Sequence, residues 1–272
     1  MEPQAGCFPV TEDYKTKDLR RFGLRWLMSC LPLDEKRPLQ ILDAATGAGN
    51  TTLEMARALH ESGLNGKIIT VDIDPECWSE WAKPKLDREG LTGLVEFQKC
   101  DLRELSRLCI RFDGIFCSTT LSVMGLDAIE AVEAWKDVLH SHGCICIYDY
   151  LPQSAPRTSD EELSNFAWQL GKAADALSGR PLCDELAPEF WSKLLTEQGF
   201  AVEKVLTDTE RPYRSQESVD EFLSTSLDLN CESDEVRIAL NQAYEGIKQE
   251  ITKRGRMTHL SGTFLLMARR NS

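Results

Sequence analysis

Between positions 39 and 150 the chain alternates two patterns. Short apolar runs bounded by turn residues occupy 39–44, 67–71, 94–99, 112–117 and 143–150, as expected of strands buried on both faces of a parallel sheet. Between them, apolar residues recur every three or four positions, as on one face of a helix. One such segment carries Leu53, Ala56 and Leu59; another carries Ile129, Val132, Trp135 and Leu139. A helix is expected at 75–88, with Asp74 as N-cap and Pro75 at its first position, and Pro84 should kink or shorten it. Strand, helix, strand repeated in this way builds a parallel sheet with right-handed crossovers. After Tyr150 the rhythm changes. A loop rich in Pro and Ser covers 151–159, and a capping box from Ser159 to Glu162 opens a helix that Gly179 ends. Further helices are expected at 188–198, from the capping box Ser218 to Glu221 through about 227, and at 233–253. Strands are expected at 201–207 and 263–268.

The whole chain, 1–272, therefore reads as one domain. Its core sheet draws on 37–150, 186–209 and 258–272. The remaining helical pieces, 12–32, 151–185 and 210–257, are expected to form a cap over the strand ends, where open α/β sheets hold their ligands. A homodimer contact through these insertions is the alternative use for them.

The most informative residues are Ile41 to Asn50, Ile-Leu-Asp-Ala-Ala-Thr-Gly-Ala-Gly-Asn. A short strand ends in an acid, a Gly-x-Gly turn follows, and a helix begins near Thr51. Such a strand-to-helix turn holds nucleotide-like ligands. Gly47 and Gly49 can take positive φ, and without a Cβ they let a ligand lie against the main chain. Asp43 disfavours a phosphate and suits a cation, which points away from NAD and towards S-adenosylmethionine, with its sulfonium and ammonium. Two more acids stand at successive strand ends. Asp72, in Val-Asp-Ile-Asp-Pro, can accept from both hydroxyls of a ribose. Asp101, in Cys-Asp-Leu, can accept from an adenine amino group while Leu102 covers the ring.

From about Leu39 to Leu151 these motifs make the chain resemble a class I methyltransferase dependent on S-adenosylmethionine. Asp43 to Gly49 resembles the family's first motif, Val71 to Pro75 its second-strand acid, and Cys100 to Leu102 its adenine motif. Phe112 to Ser118 and Gly143 to Asp149 resemble its fourth and fifth strands. The resemblance implies a doubly wound α/β fold: seven mostly parallel strands in the order 3-2-1-4-5-7-6, the last antiparallel, with an added helical cap. It also implies that Asp43, Ala44 and the backbone of Gly47 and Gly49 face the methionyl part of the cofactor. Asp72 would hold the ribose, Ile73 would lie against the adenine, and Cys117 and Ser118 would line the approach to the methionyl group. Where some relatives carry Asn-Pro-Pro-Tyr after the fourth strand, this chain has Ser118-Thr119-Thr120-Leu121, which disfavours methylation of bases or protein amides. A helical stretch of about 50 residues between the sixth and seventh strands suggests an enlarged, enclosed pocket for a small-molecule acceptor.

Composition narrows the field. Formal charge is −13, a surface that repels phosphate backbones and argues against nucleic acid. No apolar run reaches the roughly 20 residues needed to span a bilayer, and the N-terminus carries no secretory pattern. A cytoplasmic, non-membrane protein is expected. None of the ten cysteines falls in a Cys-x-x-Cys pair, and no metal is expected. Methyl transfer from a sulfonium depends largely on positioning, so no catalytic residue is dictated. Asp149, Tyr150 and His259 are the candidates. The alternatives are an NAD(P)-dependent oxidoreductase and a protein that binds S-adenosylmethionine without turnover. Thr52 in place of a third small residue weighs against the oxidoreductase.

Overall fold

Among the described residues the strands are β1 (Leu39–Ala44), β2 (Gly66–Asp72), β3 (Val95–Lys99), β4 (Phe112–Ser118), β5 (Leu139–Tyr150), β6 (Phe200–Asp208) and β7 (Thr263–Arg270). The computed structural model describes residues 18–32, 37–179, 185–211, 213–214, 216–224, 233–259 and 261–271. The strands form one sheet in the order β3-β2-β1-β4-β5-β7-β6. The first five run parallel, and β7 is antiparallel to both β5 and β6. The central strands are buried along almost their whole length, β4 from Phe112 to Cys117, which is why they read as continuous apolar runs. β6, at the edge, alternates instead.

The helices are α1 (Leu19–Cys30), α2 (Asn50–Ser62), α3 (Lys83–Glu89), α4 (Leu121–Met124), α5 (Asp127–Val138), α6 (Ser159–Leu177), α7 (Pro188–Glu197), α8 (Gln216–Ser224) and α9 (Asp234–Arg254). Two apolar layers flank the sheet. One includes Trp135, Trp191 and Phe264; the other includes Leu27, Met55 and Phe116. A third, separate cluster joins α6, α8 and α9 through Leu170, Val219, Tyr244 and Ile251.

Local departures from the expected elements have physical causes. The segment at 75–88 splits into a π-helical turn, Cys77–Ala82, and α3, with Pro84 near the helix start, where its missing N–H costs least. Leu139, expected on a helix, begins β5 as the partner of Phe112. Thr158, one residue before the expected cap, accepts from the Glu161 N–H and caps α6. α8 starts at Gln216, so Ser218 lies inside it, and 225–227 fall outside the described residues.

The larger correction concerns 12–32, expected in the cap. Residues 12–17 lie outside the described range, but α1 packs flat on the sheet as part of its second apolar layer. Gly23 allows this closeness: a Cβ there would stand 2.5 Å from Leu265 Cδ1 and 2.7 Å from Cys146 Sγ. Its buried side chains include Leu19, Phe22, Leu24, Trp26, Leu27 and Met28, which hold it against the sheet.

Candidate functional site

A cavity of about 680 Å³ opens at the C-terminal ends of β1, β2 and β4, beside the N-terminus of α2. That volume lies within the usual range for small-molecule sites, roughly 300–1,000 Å³. A shallower depression of about 470 Å³ on α7 and β6, lined by Glu189, Lys193 and Thr196, lies away from the strand ends.

The turn from β1 to α2 forms the cavity's floor. Its backbone takes positive φ at Ala45 (84°), Gly47 (46°) and Gly49 (74°). Hydrogen bonds staple it to β2: the Thr46 N–H donates to Val71 O at 2.8 Å, and the Gly47 N–H to Asp72 Oδ2 at 3.0 Å. The two glycines have different reasons. A Cβ on Gly47 would meet nothing within 4 Å, so this position opens onto the cavity. A Cβ on Gly49 would stand 2.5 Å from both Cα and Cβ of Ala82, so this glycine lets the π-helical turn pack against the loop.

Asp43 lies beneath the floor, fully buried and not on the cavity wall. Its Oδ2 accepts from Thr52 Oγ1 (2.6 Å) and Thr70 Oγ1 (2.9 Å), and the Thr70 hydroxyl also meets that of Thr46 at 2.7 Å. Asp43 Oδ1 has no hydrogen-bond partner among the described residues. Burial pushes its carboxyl up to about 7, against the opposing bonds of Thr52 and Thr70. Direct cofactor contact was expected of Asp43, Ala44 and Cys117, but all three are buried below the wall. Asp43 and Ala44 point to opposite faces of β1, and the packing on both faces buries them along with Cys117, whose thiol burial holds neutral.

The other expected residues do meet. Gly47, Gly49, Asp72, Ile73, Asp101, Leu102 and Ser118 all line the one cavity. Asp72 accepts from the N–H groups of Gly47 and Asp74 (3.1 Å) and keeps further accepting capacity on both oxygens. Ile73 is 67% exposed, a large apolar side chain offered at the cavity's rim. Asp101 is more committed. It accepts from the Arg103 backbone at 2.9 Å and pairs with that guanidinium at 2.7 Å, which holds its carboxyl below the usual range. Arg103 also reaches Asp127 at 2.9 Å.

None of the three catalytic candidates lines the cavity. Asp149 is buried and accepts from the N–H groups of Leu121 (2.8 Å), Ser122 (3.2 Å) and Tyr150 (2.7 Å), and from Ser122 Oγ (2.6 Å). It secures the start of α4, which in turn brings Val123 and Met124 to the cavity. Tyr150 and His259 lie further along, towards α6. Sequence reasoning missed Ala45, because only glycines were read as left-handed. It missed Thr70 and the structural use of Thr52, because a buried hydroxyl carries no positional pattern.

Residues 41–143 match a family model described as a methyltransferase domain. Over that stretch the chain resembles a methyltransferase domain, and its strand order is that of the class I fold. Over 146 residues it is 25% identical to the ubiquinone/menaquinone biosynthesis C-methyltransferase UbiE of Cronobacter sakazakii, covering 54% of this chain and 55% of that protein. The chain thus matches about half the length of this curated relative. Among solved structures it resembles a cyclopropane-fatty-acyl-phospholipid synthase-like protein from Lactobacillus casei, with TM-score 0.60, 15% identity, and 92% and 89% of the two chains covered. The [4+2]-cyclase SpnF gives 0.54, 16%, and 91% and 80%. At such identities the likeness speaks for the fold. The methyltransferase domain model begins at β1 and ends in β5, so it includes every lining residue of the cavity but Arg20 and Asp175. Among the described residues no helix is long and apolar enough to cross a membrane, and no cluster of three or more His, Cys, Asp or Glu is placed to hold a metal.

Proposed function

We propose that this protein transfers a methyl group from S-adenosylmethionine to a small-molecule acceptor in the cytoplasm, by in-line displacement in a pocket closed by its helical additions. The observation that carries this is the meeting of Gly47, Asp72, Ile73 and Leu102 on one cavity inside the methyltransferase domain. The cavity suits the cofactor. It is open where a Gly47 side chain would be, it has an acid with spare accepting capacity, and it has apolar side chains where a flat base could rest. When bound, the cofactor supplies an activated methyl on a positively charged sulfur.

The residues have distinct tasks. Asp72 accepts from the ribose hydroxyls. Ile73 and Leu102 bracket the adenine. Asp101, already paired with Arg103, can still accept an amino hydrogen on a free lone pair. Asp43 acts from below, holding Thr52 and Thr70 so that the loop keeps its shape. Ser118, Thr119 and Met124 face the cavity from the β4 side, and Arg20 and Asp175 complete the wall from α1 and α6. These walls exclude water and fix approach, which is most of what a displacement at an activated methyl requires. Asp149 is not assigned as a base, because its oxygens already accept from four donors.

Calorimetric titration tests the reading. S-adenosylmethionine should bind and NADH should not, and Asp72→Ala should weaken cofactor binding by about 1–3 kcal/mol. Tight NADH binding without S-adenosylmethionine binding overturns the proposal in favour of an oxidoreductase.

A further inference from the structure

A second group of polar side chains lies beyond the cofactor cavity, between α6 and the ends of β5 and β7. Ser164, Trp168, Lys172 and Asp175 fall at helical spacing on one stripe of α6. At one end Ser164 Oγ meets the Thr258 N–H (3.2 Å) and hydroxyl (3.1 Å). At the other, about 10 Å further along the helix from Trp168, Asp175 lines the cofactor cavity. Trp168 and Lys172 therefore lie between these two landmarks, with the Lys172 ammonium 5.7 Å from the Trp168 ring. Across from them, Tyr150 closes β5 opposite Thr263 of β7. Arg214 is fixed there through its backbone, whose N–H donates to Met257 O at 2.7 Å, next to the bridge between Tyr213 and Thr258. Three residues before it, Arg211 donates to Ser154 O at 3.0 Å, which brings this segment alongside Gln153. Ser261 Oγ lies 3.5 Å from Glu185.

Three polar atoms of this group are shut off from solvent and have no hydrogen-bond partner among the described residues: Gln153 Nε2, Trp168 Nε1 and Arg214 Nε. Buried polar atoms are normally satisfied, and an orphan is costly. One alone would be a local imperfection. Here three occur on segments that meet around Thr258 and Ser154, all are donors, and one of them belongs to an aromatic ring. A ligand for such a place brings acceptors only, and a flat body. The acids nearby, Glu185, Asp175 and Asp149, oppose a doubly charged phosphate. A singly charged carboxylate meets one guanidinium and two neutral donors without that penalty.

We propose that this region between α6 and the ends of β5 and β7 binds the methyl acceptor by a carboxylate group, with Arg214, Gln153 and Trp168 donating to its oxygens and aromatic side chains flanking its body. The acceptor is thus a small organic acid, ring-bearing or otherwise flat. This rests on the methyltransferase reading of the neighbouring cavity and deepens it.

The test uses the full chain saturated with S-adenosylhomocysteine, with benzoate and its neutral counterpart benzyl alcohol as probes. Binding is read by saturation-transfer NMR and tryptophan fluorescence. Benzoate should bind at least tenfold more tightly than benzyl alcohol. Arg214→Gln should abolish that preference, and Trp168→Phe, which keeps a ring but loses the N–H, should reduce it. Both variants should take up S-adenosylhomocysteine as the wild type does, which shows that they are folded. Equal binding of the two probes, no benzoate binding at millimolar concentration, or a preference that survives Arg214→Gln overturns the proposal. If benzoate is preferred but S-adenosylhomocysteine does not bind, the carboxylate site stands and the cofactor reading falls.

Discussion

Gly47 and Gly49 stand two residues apart in one turn and answer to different constraints. At Gly49 an added methyl would strike Ala82 backbone, which cannot move without shifting the π-helical turn. Gly49→Ala should therefore lower stability in urea unfolding by about 2–4 kcal/mol. At Gly47 the methyl enters open space, so Gly47→Ala should cost only the left-handed backbone strain, about 1–2 kcal/mol. It should weaken cofactor binding out of proportion to that loss, as measured by calorimetry. Asp43 makes a prediction of opposite character. Its pKa is about 7 in the folded chain against an ordinary 3.8, so between these values only the folded state holds the extra proton. Its contribution to stability is thus fullest at the acid end and is lost as pH rises through 7. Urea unfolding of Asp43→Asn should show the variant gaining on the wild type as pH rises from about 4 to about 7, with no further gain above. A constant difference across that window would mean that Asp43 is ionised throughout.

Among the elements, α4 depends most on a single side chain. It is four residues long, too short to persist alone. Asp149, at the end of β5, takes its first two N–H groups and the Ser122 hydroxyl. Asp149→Ala leaves these donors buried and should cost about 2–4 kcal/mol. Asp149→Asn, whose amide oxygen still accepts, should recover part of that in the same denaturation assay. α1 shows the converse. It belongs to the sheet's apolar layer because Gly23 lets it sit close and its buried side chains are large.

At the scale of the molecule, the sheet with its two layers and the α6–α8–α9 cluster are separate cores. Charged groups join the parts of the second one. Asp160, on α6, pairs with Arg254 (2.8 Å) and Arg256 (2.9 Å) and accepts from the Tyr213 hydroxyl (3.1 Å). Arg211 reaches Glu161 at 3.1 Å. Bonds led by Arg254 hold the Asp160 carboxyl below its ordinary value. Its stabilising effect is therefore present above about pH 4 and lost as pH falls through the lower, folded value. Asp160→Asn at neutral pH should speed amide exchange in α6 and α9 while β1, β4 and β5 stay protected. Uniform acceleration across the sheet would show that the two cores unfold as one.

Much of this protein could be read from its residues alone. Buried parallel strands announce themselves as apolar runs, and a turn that needs positive φ announces itself through glycine, so the sheet, the loop at Gly47 and the acid at Asp72 were legible. Local chemistry sets those features. What the chain pattern could not convey was which side of a strand end faces the cavity. That is set by pairing register and packing, and it put Asp43, Ala44 and Cys117 under the floor and Asp72 and Ser118 on the wall. Nor could it show that Ala45 adopts a left-handed backbone, that Asp149 serves α4, or that α1 lies on the sheet. Each of these depends on contacts between residues far apart in sequence, whose free energies exceed the local preferences they override. The three unpartnered donors near α6 belong to the same class. Gln153, Trp168 and Arg214 share no motif, and only the folded chain brings them together.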